Sequence, residues 1–201
     1  MNAWKHSVSS QRTFGGVPED YLAIHRFLDS SKLFCYHLKH RAMLHHLLGI
    51  EYCEEIFGSV IDNSASQKIP VREIAAQHIR EDLNQVLPSV NDWFQDCDPN
   101  IIAKLELPEI ANPSLEEFIL RPWLRSGLKA SLAITYSHFG VYLAQQLSDW
   151  KTAKLLAELV PPSNNPKVLL ENIPIKYRWQ YTPDRKAIEQ VNNGIIEQRG
   201  D

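Results

Sequence analysis

The chain has 201 residues, 44% of them apolar and 22% charged, with a formal net charge of −3; that balance excludes disorder and gives no global electrostatic draw to nucleic acid or an anionic membrane. Cys35, Cys53 and Cys97 are widely spaced with no Cys-x-x-Cys, which excludes a disulfide framework and a zinc ribbon. The first residues carry no apolar leader, and the longest uncharged stretch, 130–148, holds too many polar side chains for a lipid-facing span, so a reducing cytoplasm is the expected location.

In chain order, Gly15-Gly16 and Pro18 open a helix expected to run to Asp29, with Glu19 and Asp20 placed well against its dipole. Ser30-Ser31 offers a cap for a long second helix from Lys32 to Phe57, stopped by Gly58. A polar loop, Asp62 to Gln67, precedes Pro70, which starts a third helix ending before Pro88. Ser89 and Asp92 then begin a short helix holding Trp93 and Phe94. In the second half Ser114-Leu115-Glu116-Glu117 reads as a capping box, with helices expected over 115–126, 128–148 and 150–160. Thr182-Pro183-Asp184 starts a last one. The segments 45–58 and 136–149 are faintly alike: each places a glycine and then a β-branched residue inside a helix, which admits close approach of a neighbour.

Seven of the eight histidines fall in the first hundred residues. On the third helix, at about 100° per residue, Val71, Ile74, Ala75, His78, Ile79, Asp82 and Val86 share one side. A carboxylate inside an apolar stripe is costly unless it is paired or coordinated. His25 and Asp29 repeat the same one-turn spacing, and such i,i+4 pairs are how helices build half of a metal site. The run 40–49 adds His40, His45 and His46, on three different helical faces, so at most two of them point into one site. A lone His/Asp pair is more often a structural hydrogen bond than a ligand pair; two pairs plus a histidine-rich segment favour a metal. His37 and His138 each stand alone and read as structural or solvated, and the cysteines as core residues. His-Glu-x-x-His, adjacent His-Asp, Glu-x-x-His, glycine-rich phosphate loops and Gly-x-Ser-x-Gly are all absent.

The pieces "HSVSS" (6–10), "FGGVPEDYLAIH" (14–25), "DSSK" (29–32), "HRAMLHHLLGI" (40–50), "CEEIFG" (53–58), "IPVREIAAQHIREDL" (69–83) and "LPSVNDW" (87–93) resemble an uncharacterised family of bacterial and phage proteins known only as a domain of unknown function. The resemblance implies that His6, His25, Asp29, His40, His45, His46, His78 and Asp82 occupy the family's recurring His and Asp positions. It implies no activity.

The expectation is therefore an all-α fold: a helical bundle over residues 1–95 with a His/Asp-lined interior, and a C-terminal helical extension, 96–201, packed on it as one unit. A divalent metal ion, zinc, iron or manganese, is the expected cofactor. His25, His40, His78 and Asp82 are its leading ligands, with Asp29, His45 and His46 as alternatives. An open coordination position would make the protein a metal-dependent hydrolase acting on a phosphoester or amide. The alternative is a non-enzymatic interaction module whose His/Asp core is only a hydrogen-bonded network. Its working surface would combine Arg121, Arg125 and Lys129 with the run from Lys176 to Tyr181, facing a protein partner or, less readily, single-stranded nucleic acid. Neither the partner nor the oligomeric state is legible.

Overall fold

The computed structural model describes residues 2–35, 38–103, 105–171 and 173. His37, the run from Lys176 to Tyr181 and the expected helix after Thr182 lie outside the described residues. The fold is helical, with one small two-stranded sheet. No helix among the described residues is long and apolar enough to cross a membrane.

Helix α1 (Ala3–Phe14) is capped by the Asn2 side chain, which accepts from the Lys5 amide. Hydrophobic periodicity does not find this helix, because its buried face is His6, Ser7 and Ser10. α2 (Glu19–Asp29) follows the Gly15-Gly16 turn as expected and buries Tyr21, Ile24, His25, Phe27 and Leu28. The long helix expected over 32–57 is broken: 3₁₀ turns span Ser30–Leu33 and Leu38–Met43, and α3 runs only from Leu47 to Phe57. A hairpin of β1 (Val60–Asp62) and β2 (Lys68–Pro70), with Ile61 opposite Ile69, joins α3 to α4 (Val71–Asp82). Asn63 clamps that hairpin to the front of the bundle. Its Nδ2 donates to the Phe14 carbonyl and the Tyr21 hydroxyl, while its Oδ1 accepts from the Ala65 and Gln67 amides.

The Ser89/Asp92 capping box starts α5 (Val90–Phe94) as expected, and α6 (Pro99–Ala103) follows. α7 (Pro113–Ser126) begins two residues earlier than expected, with Asn112 rather than Ser114 as the cap. The helix expected over 128–148 is also broken, into a 3₁₀ turn Lys129–Ser131, α8 (Leu132–Thr135) and α9 (His138–Leu147). α10 (Trp150–Leu159) and α11 (Pro166–Glu171) complete the described chain. One core joins both halves, with Met43, Ile74, Trp93, Ala133 and Phe139 in a single cluster. A second, smaller core of Leu115, Ile119, Leu132, Tyr136, Leu156 and Val160 lies under α7 and α10.

The two breaks share one backbone device. His46 (φ −160°, ψ 173°) and Ser137 (φ −155°, ψ 173°) are extended cap residues, and each side chain accepts from the amide of a glycine three residues on, Gly49 or Gly140. A Cβ on Gly49 would lie 1.8 Å from the Leu44 carbonyl oxygen, and one on Gly140 the same distance from that of Thr135. These glycines therefore serve a folded-back carbonyl within their own corner rather than the close approach of another helix. Gly49→Ala and Gly140→Ala should each lower the unfolding free energy by about 1–3 kcal/mol in denaturant titrations, since the corner has no room for the added methyl. Unchanged stability in both would contradict this backbone geometry.

Candidate metal centre

Three segments deliver the site. α4 places His78 and Asp82 on its inner face, one turn apart, and both are buried. α2 ends at Asp29, one turn after the buried His25. His45 comes from the corner before α3. The His46 cap turns the chain there, and the Trp93 indole N–H holds the His45 carbonyl at 2.9 Å. α1, packed against α2 and α4, adds His6 and Ser10.

One ligand atom from each of Asp29, His45, His78 and Asp82 lies within 4.8 Å of those of the other three, so the group can hold a metal ion. His78 Nε2 is 3.2 Å from His45 Nε2, 3.7 Å from Asp29 Oδ1 and 3.9 Å from Asp82 Oδ2, and His45 Nε2 is 3.3 Å from Asp82 Oδ2. Ligand atoms bound to zinc at about 2.0–2.1 Å stand about 3.3 Å apart along a tetrahedron's edge. The two shortest spacings equal what a small four-coordinate cation imposes, and the others are wider. His45, His78 and Asp82 are almost fully enclosed, and only Asp29 shows an edge to solvent.

The surroundings carry balancing charge. Arg41 Nη2 lies 3.1 Å from Asp82 Oδ2, Lys32 Nζ 2.6 Å from Asp29 Oδ1, and His6 bridges Glu81 Oε2 at 2.6 Å and Asp82 Oδ1 at 3.4 Å. Burial alone would raise the Asp82 carboxyl, yet hydrogen bonds from His45 and His6 and the charge of Arg41 hold it well below the usual carboxylate range. Burial lowers His45, and lowers His78 further still because other imidazoles crowd it; both are neutral and able to act as ligands. His6 goes the other way: burial opposes its charge, but Asp82 and Glu81 together raise it.

The remaining sequence-predicted residues stand one step outside this group. His25 Nδ1 meets His78 Nδ1 at 3.0 Å, so it supports His78 from behind, and burial pushes it down to about 3. His40 pairs with the Ser31 hydroxyl at 2.8 Å and packs edge-on to His45. Both nitrogens of His46 are engaged locally, Nδ1 accepting from the Gly49 amide and Nε2 donating to the Met43 carbonyl. His6 is the participant that periodicity missed, since a helix with a polar buried face gives no apolar stripe to read. His138 is exposed at the start of α9. Asp82→Asn should cost about 3–5 kcal/mol in denaturant unfolding, because it leaves Arg41 and His6 facing a neutral amide inside the protein. A loss under about 1 kcal/mol, the range of an exposed ion pair, would contradict this account of the network.

Comparison with known proteins adds a family and no chemistry. No curated protein and no solved structure matches the chain significantly. Residues 1–102, which contain every member of the cluster, match DUF6915, a domain of unknown function. With half of its length accounted for in this way, the chain belongs to the DUF6915 family.

Proposed function

We propose that this protein binds a divalent transition-metal ion through Asp29, His45, His78 and Asp82. The observation that carries this reading is the convergence of two imidazole nitrogens and two carboxylates, from three separate segments, all within 4.8 Å of one another and as close as 3.2 and 3.3 Å in two of the pairs. Mixed imidazole and carboxylate donors suit zinc, iron(II) or manganese(II), and the absence of a thiolate from the group disfavours softer ions. Four protein ligands in a nearly enclosed position support a closed centre that pins α2, the corner before α3 and α4 together. A hydrolytic role requires a coordination position open to a substrate, and the burial of His45, His78 and Asp82 weighs against it.

One observation favours a second reading. The separations from His25 to His78, from His78 to His45 and from His45 to Asp82 are 3.0, 3.2 and 3.3 Å, which shared protons alone can span. On that reading the cluster is a structural network and the protein acts through its surface. Of the basic residues expected at that surface, Arg121 and Arg125 are paired with Glu51 and Glu55 of α3, and Arg121 also covers the Tyr52 ring.

Protein purified without chelator or affinity tag should contain about one equivalent of zinc, iron or manganese per chain, and chelator should lower its melting temperature. His78→Ala should carry no metal and its melting temperature should ignore chelator. Should the wild type take up no metal on titration and melt identically with chelator, the network reading stands instead, with His78→Ala then losing only about 1–3 kcal/mol through its orphaned partners.

A further inference from the structure

The side chains behind His78 form a continuous chain of hydrogen bonds that starts at a partly buried carboxylate. Glu81, on α4, can only accept while ionised, and two groups donate to its Oε1: the Ser9 hydroxyl at 2.6 Å and the Gln77 amide at 2.9 Å. Gln77 must therefore turn its NH₂ toward Glu81, where it also reaches the Ser9 and Thr13 hydroxyls. Its carbonyl is left facing the other way, toward the Ser10 hydroxyl at 2.8 Å. A serine has one hydroxyl proton, and here Gln77 Oε1 takes it.

Ser10 Oγ can then only accept from its second partner, His25 Nε2, at 2.9 Å. His25 is fully buried and meets a hydroxyl and another imidazole, so nothing at either nitrogen favours a cation. With its proton on Nε2, its Nδ1 is a bare acceptor, and His78 Nδ1 stands 3.0 Å away. We infer that Glu81, Gln77, Ser10 and His25 act as positioning residues that fix His78 in the Nδ1–H tautomer, so that its Nε2 lone pair faces His45, Asp29 and Asp82. Each donor in the sequence is forced by the group before it. The chain reaches His78 from the Glu81 carboxylate without reference to any metal.

This inference rests on the metal reading only for its effect on affinity, where supporting hydrogen bonds to a ligand imidazole matter by about 10- to 100-fold. The test is a long-range ¹H–¹⁵N correlation spectrum of the imidazoles in the metal-free full-length protein, which reports which ring nitrogen carries each proton. The expected result is a proton on Nε2 of His25 and on Nδ1 of His78; a proton on Nδ1 of His25, or on Nε2 of His78, overturns the inference. Ser10→Ala should lose the single His25 and His78 tautomers and weaken zinc binding by about 10- to 100-fold. A folded Ser10→Ala with both tautomers unchanged overturns it too. If Ser10→Ala does not fold, Gln77→Leu breaks the same chain without touching His25, with the same expected loss and the same overturning result. A wild type that shows the expected tautomers but takes up no zinc removes the metal reading and leaves this inference in place.

Discussion

A carboxylate cannot be buried alone, and the N-terminal half of this protein is arranged around that fact. Asp82 sits on the inner face of α4 with its side chain almost fully enclosed, and its neighbours come from separate parts of the chain: His6 from α1, Arg41 from a 3₁₀ turn, His45 from the corner before α3 and His78 from its own helix. Removing a carboxylate from water costs several kcal/mol unless its oxygens are fully occupied. Those elements are therefore coupled: none of them can shift without exposing or orphaning a charge that the others also hold. The same coupling brings Asp29 and the neutral imidazoles of His45 and His78 to a common point.

Much of this is legible in the sequence. The one-turn spacing of His78 and Asp82 within an apolar stripe needs only helical geometry, and α4 places both inside. The rest was hidden for identifiable reasons. α1 buries His6, Ser7 and Ser10, so a method that looks for apolar periodicity passes over it. Helical periodicity does not separate His40, His45 and His46, because the chain from Leu38 to Phe57 is a 3₁₀ turn, a corner and a short helix rather than one continuous helix. The chain breaks at His46, an unusual cap residue whose ring replaces the serine or asparagine that marks most helix starts. Once the break is in place, His46 spends both nitrogens on the corner and His45 turns inward.

The second corner, at Ser137, shows what the fold itself requires. It repeats the extended cap, the glycine three residues later and the folded-back carbonyl. The residue before its cap, however, is Tyr136, whose ring packs with Leu115, Ile119, Leu132 and Leu156 in a mainly apolar core. The same turn of the chain thus needs no histidine cluster beneath it. Before the cap of the first corner stands His45, against Asp82 and His78; before that of the second stands Tyr136, among hydrocarbon. Apolar side chains hold helices together at lower desolvation cost, so the buried carboxylate of the first half depends on the imidazoles and the guanidinium around it to offset that cost.

The most direct test of this account is X-ray absorption spectroscopy on the full-length protein loaded with zinc. The account predicts four light-atom ligands at about 2.0–2.2 Å, with the outer-shell scattering of two imidazoles and the remaining positions filled by carboxylate oxygen. A shell of oxygens alone without imidazole scattering, or a sulfur ligand at about 2.3 Å, would contradict it.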